Sequence, residues 1–227
     1  LKGKFLRQPI HALLGGARRK VPVYTTFGFG AYDRDELAAA AKWWVSRGHK
    51  RLKMVVGHHG LQRRDEPRPL GEVIAEDVRR VRAVREAVGE GVDLYVDANC
   101  SLDGFHAARL AHAIEEFDPS FFEEPVKEND IEVLKDLKTR TRIPLAAGQN
   151  EGLAWRFRDL IVSRAIDVVQ PNVTIGGGYT QCIRIAGLAS ACNMPMANGG
   201  AWAHHNMHLH AGLANGGLVE YHYAAVK

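Results

Sequence analysis

Asp97, Glu123 and Gln149 each follow a short apolar run, and they stand 26 residues apart (97 to 123, 123 to 149). The runs are Leu94-Tyr95-Val96, Phe121-Phe122 and Leu145-Ala146-Ala147. Oxygen-bearing side chains delivered to the carboxyl ends of successive strands can converge on one point. A set of three with two anionic members suits a hard cation such as Mg²⁺. Taken singly, each is an ordinary solvated residue at a strand end; three in register favour the metal. Glu151 lies two residues beyond Gln149, on the same face if the strand continues, and is the substitute ligand.

Lys53 sits inside another apolar run, Leu52-Lys53-Met54-Val55-Val56. An inward-facing lysine there costs desolvation unless it finds partners. Beside a metal-bound acid its ammonium can neutralise developing negative charge or act as a base with a lowered pKa. The plainer reading is a lysine whose stem packs while its amine reaches the rim. His204 and His205 follow Gly199-Gly200, and His58 and His59 follow the lysine strand. Histidines at such a rim titrate in a useful range and are candidate acid/base groups, although each alone reads as a capping or surface residue. His106, His112, His208 and His210 read as structural. Gly176-Gly177-Gly178 could cradle an anion or simply permit a tight turn, and no Walker or G-x-G-x-x-G motif supports a nucleotide.

The elements that must position these residues alternate regularly. Strands are expected at Val21–Phe27, Arg51–Gly57, the runs ending at Asp97, Glu123 and Gln149, Ile166–Asn172, Met194–Gly200 and Gly217–Tyr221, with helices between them. Asp33 and Glu36 form a capping pair before one helix, Gly48 stops it, and a long helix starts near Glu72 with the stripe Ile74, Val78, Val81, Val84 and Val88. Eight strands and seven helices, about one unit per 25–30 residues, predict an α/β fold closed as a parallel barrel. Residues 1–20 read as an irregular, basic lead-in and 21–227 as the barrel domain.

The bulk composition narrows the partners. The 227 residues carry a formal charge of only +4, with 25% charged residues. Arg79, Arg80, Arg82 and Arg85 alternate with Glu76, Asp77 and Glu86, which reads as a solvated helix face and not a nucleic-acid patch. Three cysteines without a C-x-x-C argue for a reducing, cytoplasmic setting, and no apolar run is long enough for a membrane span.

The order of motifs resembles the barrel domain of the enolase superfamily, in its mandelate racemase/muconate lactonizing subgroup. The resemblance runs nearly end to end, through Val96-Asp97-Ala98-Asn99, Phe122-Glu123-Glu124-Pro125, Ala147-Gly148-Gln149-Asn150 and Gln170-Pro171-Asn172 with Ile175-Gly176-Gly177. It implies a (β/α)7β modified TIM barrel, in keeping with the missing eighth helix. It also implies a Mg²⁺-dependent enzyme that removes the proton α to the carboxylate of a hydroxy or sugar acid. Dehydration is the expected outcome, with racemisation or cycloisomerisation after it.

Carried over residue by residue, Asp97 and Glu123 match metal ligands and Lys53 the first lysine of a Lys-x-Lys pair. Glu220 matches an eighth-strand glutamate that can hydrogen-bond the substrate carboxylate and is a catalytic candidate, and Asn99 matches a contact of the substrate or of the residues that hold it. The departures are Gln149 for a third acidic ligand, Val55 for the second lysine, and Asn172 and Asn198 for an Asp/His dyad, now substrate-binding candidates. These four changes support an alternative, a family barrel without proton-abstraction chemistry. Family members also carry an N-terminal capping domain that does not precede this barrel sequence, so a homo-oligomer or partner chain over the mouth is expected.

Overall fold

The computed structural model describes residues 1–57 and 69–222. His58 and His59 lie outside the described residues. Along the chain the elements are α1 (Lys2–Leu6), α2 (Ile10–Leu13), β1 (Val23–Gly28), α3 (Arg34–Ser46), β2 (Arg51–Val55), α4 (Leu70–Val88), β3 (Asp93–Asp97), α5 (Gly104–Ile114) and β4 (Pro119–Glu123). There follow α6 (Ile131–Arg140), β5 (Leu145–Ala147), α7 (Leu153–Val162), β6 (Val168–Val169), α8 (Gly178–Ala191), α9 (Ala203–Gly212) and β7 (Val219–His222). The chain divides into two compact units, Thr25–Ala146 and Leu1–Tyr24 with Ala147–Lys227.

In the Thr25–Ala146 unit the strands pair in parallel and in sequence order, β1 with β2, β2 with β3, β3 with β4 and β4 with β5. Leu52, Met54, Leu94, Val96, Phe121 and Phe122 are all buried, as expected of parallel strands covered on both faces. Helices supply the outer cover through Leu37, Ala41 and Trp44 of α3, Val81 and Val84 of α4, Leu110 and Ile114 of α5, and Leu134 and Leu137 of α6. Their starts are written in the sequence. Asp33 and Glu36 form the expected capping box, and Asp103 and Asp130 accept the backbone N–H groups of His106 and Val133.

In the other unit, Gln170 N–H donates to Ala147 O, Ala197 N–H to Val169 O, Asn198 N–H to Leu218 O, and Val219 N–H to Pro22 O. The same stepwise parallel order is thereby carried from the end of β5 to the start of β1. The strand expected over Met194–Gly200 is reduced to single bridges at Met196 and Ala197. Pro195 has no N–H to extend it, and the chain turns at once into Gly199-Gly200.

Residues 1–20 carry two short helices within the expected lead-in. These are α1 and α2, and Arg18 ties them down by donating to the carbonyls of Ala214 at 2.8 Å and Gly216 at 2.7 Å. Helices of four or five residues are too short to print a period in the sequence, and their order comes from docking, here of α2 on α9. Among the described residues no helix is long and apolar enough to cross a membrane.

Candidate active site

Strand register explains how one lysine meets two carboxylates. Val55, Asp97 and Glu123 pair across β2, β3 and β4, so they share one row and one face of the sheet. Lys53, Tyr95 and Phe121 form the row two residues earlier, about 6.6 Å below. A lysine stem is long enough to climb that step. Lys53 Nζ donates to Asp97 Oδ2 at 3.0 Å and to Glu123 Oε2 at 2.8 Å. Lys53 is 1% exposed and Glu123 0%, so the three charges meet away from water, where pairing is compulsory.

The turn after β3 completes the geometry. Asp97 Oδ1 accepts the backbone N–H of Asn99 at 2.8 Å, an aspartate turn that orients the carboxylate. Asn99 and Cys100 take left-handed φ values of 48° and 57°. Cys100 N–H donates to Glu124 O, and the Asn129 amide donates to the buried Glu124 carboxylate at 3.1 Å. Burial first, and the neighbouring Glu124 second, pushes the Cys100 thiol well above its usual range, which keeps it protonated and removes it as a nucleophile.

The helix face expected to be solvated holds a second buried ion pair. Asp77 Oδ2 accepts the N–H of Gly57 at 2.6 Å, and Asp77 Oδ1 accepts from Arg80 at 3.0 Å. Arg80 also donates to the carbonyls of Val55 at 3.0 Å and Phe29 at 3.2 Å. The pair clasps the carboxyl end of β2, two residues beyond Lys53. Gly57 is required there, because at φ 62° a side chain would collide with Ser101 Oγ. The signal was in the spacing: 74, 77, 81 and 84 form one inward stripe, whereas Val78 is only half-buried.

In the Leu1–Tyr24 and Ala147–Lys227 unit, Gln149, Asn172, Asn198 and Glu220 gather around the turn Gly199–Ala201, all nearly unexposed. Asn172 Nδ2 donates to Gly199 O at 2.7 Å and to Gly200 O at 3.0 Å, while its Oδ1 accepts from Thr174 N–H at 2.9 Å. Asn198 Nδ2 donates to Ala201 O at 3.2 Å, and Glu220 Oε2 accepts from Ala201 N–H at 2.6 Å. Gly200 lies close enough to Asn172 and Gln149 that a Cβ there would sit 3.0 Å from Asn172 Nδ2 and 3.6 Å from Gln149 Oε1. Asn206, which the sequence did not single out, adds a donor to Ala201 O at 3.1 Å. Glu151 pairs with Arg156 at 2.9 Å, and His204 and His205 stand exposed on the first turn of α9, His205 edge-on to Trp202.

Residues 36–227 match the family described as enolase C-terminal domain-like. The chain belongs to this family. It is 29% identical to an arabinonate dehydratase of Saccharolobus solfataricus over 98% of its own length and 57% of that protein's. It is 31% identical to a 3,6-anhydro-alpha-L-galactonate cycloisomerase of Streptomyces coelicolor, covering 93% of this chain and 54% of the relative. It thus spans little more than half the length of these relatives. The solved structure of a racemase from Streptomyces coelicolor with bound magnesium superimposes with a TM-score of 0.85 at 29% identity, covering 97% of this chain and 62% of that one. The mandelate racemase-like neighbours share its fold, a curled parallel α/β sheet of the TIM-barrel kind.

The enolase-family site in this chain has the donor chemistry for a divalent cation. Asp97 and Glu123 are hard oxygen donors on adjacent strands, both buried and both bonded to the Lys53 ammonium. Among the described residues no group of three acidic, histidine or cysteine side chains is assembled. Gln149, which the sequence offers as a third ligand, is an amide and brings no charge.

Proposed function

We propose that this enolase-family chain contributes the catalytic barrel of a lyase that removes water from a sugar acid. The observation that carries the reading is the buried trio of Lys53, Asp97 and Glu123 in a chain whose relatives include a sugar-acid dehydratase. Asp97 and Glu123 would hold Mg²⁺, which supplies Lewis-acid polarisation of a carboxylate when bound. Lys53 Nζ holds or moves the proton at the substrate's α carbon. Asp77 and Arg80 fix the strand end that carries Lys53. Asn172, Asn198 and Glu220 hold the Gly199–Ala201 turn. A small carboxylic acid is the partner of this site. The thiols of Cys100, Cys182 and Cys192 are free, which favours the cytoplasm. Self-association fits the exposed Trp155 and Trp202.

In the reaction the C2 proton leaves to a base, the C3–OH departs with a proton as water, and the enol becomes a 2-keto-3-deoxy acid. The test follows the C2 proton of a panel of aldonic acids by NMR in D₂O with Mg²⁺, using the purified protein. Its loss with formation of the keto acid, reduced about 10²–10⁴-fold in Lys53→Met, supports the reading. A second reading, a barrel without proton-abstraction chemistry, is favoured by the bonding of the Asn172 and Asn198 amides to backbone. It gains if no acid in the panel exchanges its C2 proton.

A further inference from the structure

We infer that Lys53 is the site's internal counter-cation, and that a divalent cation and the Lys53 ammonium compete for the same two carboxylates. The inference rests on the assignment of Mg²⁺ to Asp97 and Glu123. It adds that the lysine has two states: bonded to both carboxylates in the absence of a divalent cation, and displaced from them in its presence.

Three observations carry it. Lys53 reaches one oxygen of each acid, Asp97 Oδ2 and Glu123 Oε2, and Asp97 Oδ1 already accepts the Asn99 N–H. A cation between the two acids would therefore draw on the same two carboxylates that the ammonium already bonds. Second, the trio is buried, Lys53 at 1% exposure and Glu123 at 0%, so a lysine and a divalent cation on the same carboxylates would repel with little screening. Third, Val55, in the same row as the acids, is aliphatic. Lys53 is thus the cationic residue of β2 that bonds the acids, since Arg51, on the same face, pairs with Asp93 at 3.2 Å at the opposite end of the strand.

The consequence is a linkage between metal and lysine. In the metal-free protein Lys53 offsets the charge of two buried carboxylates, which makes it a stability residue. When the ammonium is displaced, three N–H donors become available at the site, so the lysine is released to substrate only when the cation is in place. Metal affinity is weakened in return, by the free energy needed to break two buried ion pairs.

The experiment measures Mg²⁺ affinity by calorimetry and thermal midpoint by circular dichroism on wild type, Lys53→Met and Lys53→Arg. Competition predicts that Lys53→Met melts lower than wild type without metal, binds Mg²⁺ at least tenfold tighter, and recovers most of its midpoint on saturation. Lys53→Arg keeps the charge and the weak affinity. Binding by Lys53→Met alone also supports competition, whatever the activity. Equal affinity in folded wild type and Lys53→Met overturns it while leaving the metal assignment standing. Absence of binding in every variant overturns both. Should Lys53→Met not fold, the wild type decides: the ¹⁵Nζ ammonium signal of Lys53, assigned by its loss in Lys53→Arg, must shift during the Mg²⁺ titration, and an unmoved signal overturns the inference.

Discussion

The backbone N–H of Glu220 donates to Asn198 Oδ1 at 2.9 Å, and the Glu220 carboxylate in turn accepts the N–H of Ala201. Each residue thus fixes the backbone that positions the other's turn. Asn198 also donates to Ala201 O, and its own carbonyl takes the hydroxyl of Tyr24. An amide suits this place because it offers one donor and one acceptor side by side. Asn198→His is expected to lower stability by about 2 kcal/mol through lost bonds and crowding. It should add no C2-proton exchange. Urea unfolding and NMR exchange check the two halves, and a stable, more active variant would contradict the assignment.

Asn172 makes the same point with charge. Its Nδ2 lies between the carbonyls of Gly199 and Gly200. In Asn172→Asp a carboxylate oxygen faces both carbonyl oxygens, so two donors are lost and a repulsion is introduced. We expect a loss of about 2 kcal/mol at neutral pH, shrinking in acid as the new carboxyl takes a proton and can donate again. A pH-independent deficit in the urea midpoint would show that the two carbonyls do not set the requirement for an amide.

What the sequence disclosed and what it withheld separate along physical lines. Asp97 and Glu123 were legible because an apolar run that ends in an acid marks a buried strand delivering a charge to its rim. Lys53 was legible because a charge inside such a run must be partnered. The parallel alternation was legible because each strand is buried on both faces. The work of Asn172 and Asn198 was not, since their partners are backbone carbonyls 27 and 3 residues away, in a turn that exists only after folding. Asp77 and Arg80 were hidden by their types. Among neighbouring Glu and Arg residues they look solvated, and only their burial on the inward side of α4 sets them apart. The strand at Met196–Ala197 was overdrawn because hydrophobicity reports burial and says nothing of whether Pro195 can pair.

Asp77 gives a prediction in pH. Burial raises its carboxyl from 3.8 to about 6, with the Gly57 N–H and then Arg80 opposing the shift. A carboxyl whose folded pKa is raised binds its proton more tightly in the native state. Its stabilising contribution is complete below about pH 4 and is lost as pH rises through about 6. Asp77→Asn abolishes that titration. The deficit of Asp77→Asn against wild type should therefore be larger at pH 4 than at pH 7. Urea midpoints at the two values decide, and a deficit that grows with pH reverses the sign and removes the explanation.

His210 titrates in the opposite sense. It is fully buried in α9, its Nδ1 accepts the N–H of Gly217 at 2.9 Å, and the proton therefore resides on Nε2. Burial first, and the charge of Arg18 second, lowers its pKa from 6.5 to about 4. The unfolded chain takes up the proton that the folded chain refuses, so the contribution is intact above pH 6.5 and fades as pH falls toward 4. It amounts to about 3 kcal/mol across that window. His210→Asn keeps an acceptor near the Nδ1 position and has nothing to protonate. It should be less stable than wild type at pH 7.5, through the volume it removes, yet lose less on acidification to pH 4.5, so that the two unfolding curves converge. Because His210 holds Gly217 directly ahead of β7, the wild-type loss in acid should also loosen Glu220. Faster amide exchange at Val219 and Glu220 at pH 5 than at pH 7.5, after correction for intrinsic rates, would register that loosening, and unchanged protection would confine the effect to α9.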